Sequence, residues 1–219
     1  MSVNVSLGTI AVERKRRLQS RKNQGSEGEQ VLVQALSTAN AVVLATRAKM
    51  AYEFAKSLEY GHPGLSASSY LAHPVRVADL MIALAKPIVE NGVVLALLHN
   101  VFEHTSVSHE TISQRFGVQI TDAIRILTVD RTPTDPDYTL RYYQRLERAP
   151  LWVRQVKVLD KFDNLFLLGL NPSAAIRSAY LADIEQYVVP MAQEALPDLV
   201  RYIRSLIDDC RDIGYLQEA

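Results

Sequence analysis

Residues 97–105 read LLHNVFEHT: two histidines, an Asn and a Glu follow directly on an apolar run. The stretch closes a segment whose spacing predicts a helix over roughly 90–104, and its neighbours on both sides carry the same signature of apolar positions at helical spacing. Upstream, Val31, Leu36, Val42, Val43, Ala51, Phe54 and Leu58 predict one long or two abutting helices up to about Tyr60, ended by GHPGLSASS at 61–69. Further helices are predicted at roughly 74–86, 108–116, 118–128, 137–148, 150–168, 172–194 and 197–213. Pro74, Pro150 and Pro172 fall near helix starts, Ser108 is an N-cap, and Gly117 and Gly169 are stops. Nothing reads as a sheet, and no fixed-period repeat suggests a solenoid. The expected fold is all-α, a compact bundle of about eight to ten short-looped helices.

Composition limits what such a fold can do. The chain has 219 residues, 48% of them hydrophobic, enough for one full core. Lys plus Arg and Asp plus Glu are equal at 24 each, so no global field draws it to nucleic acid, an anionic membrane or an acidic substrate. Any charged ligand must be handled locally. The single cysteine, Cys210, excludes a disulfide framework and a Cys-based zinc cluster within one chain, and suits a reducing compartment. Charges interrupt every apolar stretch before the roughly 20 residues a membrane span needs. The N-terminus lacks a secretory core, so a cytoplasmic protein is expected. ERKRRLQSRKNQGSEGEQ, residues 13–30, carries six Lys or Arg from Arg14 to Lys22 and reads as a solvated tail. The expected organisation is a flexible basic extension at 1–28 and a helical domain at 29–219.

Three segments carry groups able to bind a cation: AHPVR with His73; LLHNVFEH with His99, Asn100, Glu103 and His104; and VLDKFDN with Asp160, Asp163 and Asn164. Residues four apart share a helix face, which aligns His99 with Glu103, Asn100 with His104, and Asp160 with Asn164. A mixed imidazole and carboxylate shell suits Mn, Fe, Zn or a similar divalent ion, and an incomplete one leaves positions for water and substrate oxygens. That is the layout of metal-assisted hydrolysis. Blander readings stand beside it. His73 alone could be a hydrogen-bonded structural histidine, and Asp160 could be solvated or paired with Lys157 or Lys161. Asp163 is expected to face water, and His62 and His109 receive no role.

The order of these segments resembles the HD-domain phosphohydrolases, in particular the hydrolase domain of the Rel/SpoT stringent-response enzymes and their small stand-alone relatives. The likeness runs from about residue 48 to 190. AYEFAKSLEYGHPG resembles the opening helix and turn, and SYLAHPVRVADLM the segment with the first metal histidine. ALLHNVFEHTSVSHETISQRFGVQITDAIRILT resembles the central block, where the family has His-Asp, then Glu-Asp-Thr, then a helix ending in Phe-Gly. VKVLDKFDNLFLL resembles the segment of the last ligand, normally Lys-Leu-Ala-Asp followed four residues later by Asn. The resemblance implies an HD-type fold with His73, His99 and Asp160 as metal ligands and Asn100 in place of the Asp of the His-Asp pair. It implies that Glu103 positions or activates the attacking water, that His104 replaces an Asp beside it, and that Asn164 contacts the nucleotide.

Two departures bear on activity. An Asn offers a metal only a neutral carbonyl oxygen, so Asn100 weakens the shell by one negative charge. His104 could compensate as a ligand or proton shuttle, or lie on a solvated turn. Where the alarmone hydrolases carry an Arg-Lys pair after the opening Gly, this chain has Gly64 and Leu65. Arg141, Tyr142, Tyr143 and Arg145 could supply phosphate and base contacts, or the Tyr pair could be packing. The expected function is a metal-dependent phosphohydrolase of a nucleotide, an alarmone-like 3′-pyrophosphohydrolase using a divalent metal, Mn2+ first. Glu103 and His104 are its candidate catalytic residues, His73, His99, Asn100 and Asp160 its metal set, and Asn164 its substrate contact. The alternative is a catalytically impaired nucleotide-binding pseudoenzyme with a regulatory role. A scaffold is the third reading, disfavoured because His73, His99, Glu103, Asp160 and Asn164, together near a core, have no physical reason to persist without a site. A nucleotide is the expected partner, with no membrane and no nucleic acid, and a homo-oligomer is left open.

Overall fold

The structure, a computed structural model, describes residues 7–22, 42–61, 67–130, 135 and 137–216. Among them every regular element is helical. In chain order these are α1 (Ile10–Lys22), α2 (Val42–Lys56), α3 (Ala67–Leu84), α4 (Glu90–Leu98), α5 (Val101–His104), α6 (His109–Phe116), α7 (Val118–Leu127), α8 (Tyr138–Glu147), α9 (Leu151–Leu165), α10 (Ala174–Asp183), α11 (Val189–Ala195) and α12 (Val200–Ile213). The expected all-α bundle is what forms.

The centre is α4. Its run GVVLALL is buried on every side, so this helix has no solvent face and must be enclosed by others. α2, α3, α7 and α9 pack around it. Leu95, Leu97 and Leu98 are fully buried there, each contributing about 1.5–3 kcal/mol of apolar burial. α9 is the second spine, packed on α3, α4, α11 and α12. Local chemistry sets many boundaries. Ser108 caps α6, its hydroxyl accepting from the Thr111 N–H at 3.1 Å. Gly117 joins α6 to α7 at φ 91°, a backbone that side-chain-bearing residues adopt only under strain.

Four segments differ from their sequence reading. α3 begins at Ala67, which leaves Pro74 inside the helix, where it removes one backbone hydrogen bond but tolerates continuation. The helix expected over 90–104 breaks at His99 and Asn100, with Asn100 at φ −101° and ψ 0°. The helix expected over 172–194 passes through a π-turn at Ile184–Val188 before α11, next to Pro190, which has no N–H to give. Residues 10–22, expected within a flexible extension, form α1, and that helix packs against α3. Its buried face consists of Glu13, Arg14 and Arg17 rather than apolar residues. A reading built on hydrophobic spacing has no signal for a face of that kind. The 28/29 boundary, the helix signal from Val31 to Leu36, His62, Gly64 and Leu65 lie outside the described residues.

Candidate metal centre and cleft

α3, the break after α4, and α9 meet at one point. From them His73, His99 and Asp160 each offer a ligand atom, and these atoms lie within 4.8 Å of one another. The His73 Nε2 is 3.2 Å and the His99 Nε2 3.7 Å from the same oxygen, Asp160 Oδ1, and the two rings meet edge to face at 5.2 Å. Neither Nε2 makes a hydrogen bond, although both are buried. The opposite ring nitrogens are engaged: His99 Nδ1 sits 2.7 Å from the Ala96 carbonyl and His73 Nδ1 2.8 Å from Asp163 Oδ2. Both partners are acceptors, so both rings carry hydrogen on Nδ1 and direct Nε2 at Asp160. Two buried imidazole nitrogens and one carboxylate oxygen, converging with no hydrogen bond between them, are a donor set that can coordinate a divalent cation.

Electrostatics around the triad support the same account. Burial works against the Asp160 charge, yet Lys157, His73 and His99 hold its carboxyl well below the usual carboxylate range. Burial also works against the His73 imidazolium, but Asp160 and Asp163 outweigh it and raise its pKa. The two carboxylates favour positive charge at the His73 ring, beside the Lys157, Arg76 and Arg17 cations already paired with them. Asp160 Oδ1 accepts from the Asn164 amide at 2.8 Å, which realises the i, i+4 pair read from the sequence, and Oδ2 accepts from Lys157 Nζ at 3.1 Å. Of the two lysines weighed for Asp160, Lys157 is the one bonded to it. Lys161 instead lies over the Tyr180 ring at 4.6 Å, and burial and Lys157 bring its pKa down to about 8.

The triad lies at one side of a cleft of about 590 Å3, whose walls include His73, Asn100, Glu103, His104, Asp160 and Asn164. His99, 3% exposed, sits behind that wall. After the break, Asn100 as the N-cap of α5 and Glu103 and His104 within it all line the cleft. Glu103 Oε1 accepts from the Val129 N–H at 2.9 Å, and its other oxygen lies 3.9 Å from His104 Nε2. His104 Nδ1 is 3.3 Å from the Gly61 carbonyl, and its ring packs on Tyr70. His104 thus lines the cleft with its side chain largely enclosed, not on a solvated turn.

Asp163 corrects its sequence reading outright. Expected to face water, it is 0% exposed. Its Oδ1 accepts from Arg17 Nε at 2.7 Å and Arg76 Nε at 3.1 Å, and its Oδ2 from Arg76 Nη2 at 2.9 Å and from His73. Burial works against its charge as well, but Arg76 and Arg17 hold the carboxyl well below its ordinary range. Arg76, not singled out in the sequence reading, and Lys157 and Lys161, read there only as pairing partners of Asp160, all line the cleft. A signal existed for one of them: Arg76 follows His73 by three positions as Asp163 follows Asp160 by three, which puts each pair on one helix face. Tyr142 and Tyr143 are core residues, the Tyr142 hydroxyl donating to the Leu127 carbonyl at 2.8 Å. Arg145 donates to the Ile126 carbonyl at 3.1 Å and Arg141 pairs with Asp135; none of these four residues lines the cleft.

No protein-family model matches the chain. Among characterised proteins it is similar to guanosine-3′,5′-bis(diphosphate) 3′-pyrophosphohydrolase MESH1 of Drosophila melanogaster, 27% identical over 103 residues, 47% of this chain. The match spans 57% of that relative's length. Among solved structures the fold is similar to that of a metazoan ortholog of SpoT that hydrolyses ppGpp, with a TM-score of 0.61 and 20% identity over 80% of this chain and 98% of the other. It is also similar to lmo0812 of Listeria monocytogenes EGD-e, with a TM-score of 0.53 and 20% identity over 70% and 99%. At that identity the structural likeness establishes the fold, an all-helical HD-type architecture, and the sequence match adds a distant relationship to a ppGpp-hydrolysing enzyme. No helix among the described residues is long and apolar enough to cross a membrane.

Proposed function

We propose that this protein is a metal-dependent phosphohydrolase of nucleotides, an alarmone-like 3′-pyrophosphohydrolase. The observation that carries the reading is the pair of buried, unbonded Nε2 atoms of His73 and His99 aimed at Asp160 Oδ1 beside the cleft. Beside His73, His99 and Asp160, Asn100 would help hold the ion, and Mn2+ is the favoured ion for a mixed nitrogen and oxygen shell. When bound, a divalent ion supplies Lewis acidity to a water molecule and to a phosphoryl oxygen. Glu103, oriented by the Val129 N–H, accepts the proton of the attacking water. The water oxygen bonds to phosphorus, the bond from phosphorus to the ribose 3′ oxygen breaks, that oxygen takes up a proton to become the 3′ hydroxyl, and pyrophosphate and the shortened nucleotide are released. His104 acts beside Glu103 as a proton shuttle, and Asn164 contacts the nucleotide. Arg76, Lys157 and Lys161 give the cleft the positive field a polyphosphate requires. On this reading the protein works in the cytoplasm on a soluble nucleotide.

Two observations favour a second reading, a nucleotide-binding pseudoenzyme. The cleft presents Asn100 where the resemblance calls for an Asp, and Lys157 engages the second oxygen of Asp160. Both features weaken the hold on an ion. The test is release of phosphate and pyrophosphate from guanosine and adenosine nucleotides, 3′-pyrophosphorylated ones included, with Mn2+ present and Asp160→Ala as control. Turnover lost in Asp160→Ala supports the hydrolase. Absent turnover with nucleotide-dependent thermal stabilisation retained replaces it with the sensor.

A further inference from the structure

Beside the triad, a chain of charged contacts runs to the N-terminal helix. Asp163 has no access to solvent and receives hydrogen bonds from three side chains on two other helices: His73 and Arg76 of α3, and Arg17 of α1. Arg17 is itself 4% exposed, lies over the Phe166 ring at 3.9 Å and pairs with Glu13 at 2.9 Å. Arg14, one residue row away, donates to the Phe166 carbonyl at 3.0 Å and pairs with Asp209 of α12. The Tyr202 hydroxyl donates to the Gly8 carbonyl at 2.8 Å and ties the start of α1 to α12 as well. α1 is therefore bolted to the end of α9 by ions whose far terminus is the carboxylate on His73.

We propose that Asp163 is a positioning residue for His73, and that Arg17 of α1 acts through it, so that the N-terminal helix is a working part of the metal centre. The inference rests on the reading of His73 as a metal ligand. A ligand imidazole is oriented by the acceptor on its other nitrogen, and that acceptor also raises the donor strength of the ligating atom. Asp163 can do this only while it is held in place, because a buried carboxylate with too few hydrogen-bond donors is costly and would shift. Arg76 supplies two donors from the helix that carries His73 and would travel with it. Arg17 is the contact that comes from outside, and it fixes Asp163 against a separate element. Loss of α1 docking then loosens the carboxylate, the ring and the ion together.

The experiment uses the full chain with Asp163→Asn, Arg17→Gln and the double variant, and measures Mn2+ affinity by calorimetry and the His73 ring-nitrogen signals by NMR without metal. Asp163→Asn is expected to weaken Mn2+ by about 10- to 100-fold, the usual loss for such a partner. Arg17→Gln is expected to weaken it several-fold, and the double variant no further than Asp163→Asn alone, since both act through one group. The protected Nδ1–H signal of His73 is expected to weaken in both single variants. Wild-type affinity in Arg17→Gln overturns the role of α1, and losses that simply add in the double variant show that Arg17 acts through overall stability instead. Should Asp163→Asn fail to fold, Arg17→Gln carries the test alone. A wild-type protein that binds no ion sinks the metal reading, whereas unchanged His73 signals in the two variants sink the positioning role whether or not an ion binds.

Discussion

Lys157 Nζ lies 3.1 Å from Asp160 Oδ2, with both side chains buried, so a fixed cation sits on the carboxylate that faces the two histidines. Burial works against the Lys157 ammonium, yet Tyr142 and Asp160 beside it hold its pKa well above the usual lysine range. An ion at Asp160 must share that carboxylate with a permanent positive charge. Lys157→Met is therefore expected to destabilise the metal-free protein by about 3 kcal/mol, the lower end for breaking a buried pair from one side. It is also expected to bind Mn2+ more tightly. Thermal unfolding with and without Mn2+ checks both at once, since the ion should raise the midpoint more in the variant than in the wild type. Equal rises would show that Lys157 and the ion do not compete.

Asn100→Asp places a charged oxygen at the cleft wall. Mn2+ affinity is expected to rise by about tenfold or more, because a carboxylate replaces a neutral amide oxygen in a partly enclosed site. Calorimetry on the two proteins decides it. Unchanged affinity, together with a silent His73→Ala, would leave the triad without an ion to hold.

Ser108 tests the local account of the fold away from the site. Its hydroxyl satisfies the Thr111 N–H, one of the donors that a helix start leaves unpaired. Ser108→Ala should lower unfolding free energy by about 1 kcal/mol in a denaturant titration, with ion binding unchanged. A neutral result would mean that water replaces the cap.

Cys210 is 8% exposed, and its thiol donates to the Leu165 carbonyl at 3.2 Å. Burial pushes the thiol up to about 11 from its ordinary value of 9. Folding thus favours the neutral thiol: its contribution to stability is complete below pH 9 and is lost as pH rises through about 11. Wild type is expected to lose stability over that window relative to Cys210→Ala, measured by denaturant unfolding across pH. Thiol reagents at pH 8 should react with the folded protein only at its opening rate, and rapid labelling of the native state would contradict the burial.

Much of the candidate site was legible because the residues able to ligate an ion follow local rules. His73, His99 and Asp160 lie in three helical segments that spacing finds, and Asp160 with Asn164 is a pair on one helix face whatever surrounds it. Asp163 was misread for a related reason. A charged residue on an amphipathic helix defaults to water, and only the arrival of Arg76 and Arg17, from 87 and 146 positions earlier, makes burial tolerable. The same absence of a partner in view made residues 10–22 read as a tail.

Helix type, many of the boundaries and the residues able to ligate an ion were determined by the sequence alone, because periodicity, caps and side-chain chemistry are properties of a few neighbouring residues. The all-round burial of α4 was implied there too, since a helix with no polar face has nowhere to go but the centre. Only the tertiary structure decided which nitrogen of each histidine points at Asp160, where α4 breaks to bring Glu103 and His104 to the cleft, and that α1 belongs to the folded body. Each of these depends on hydrogen bonds and ion pairs between residues far apart in the chain, and their free energy exists only once the helices have met.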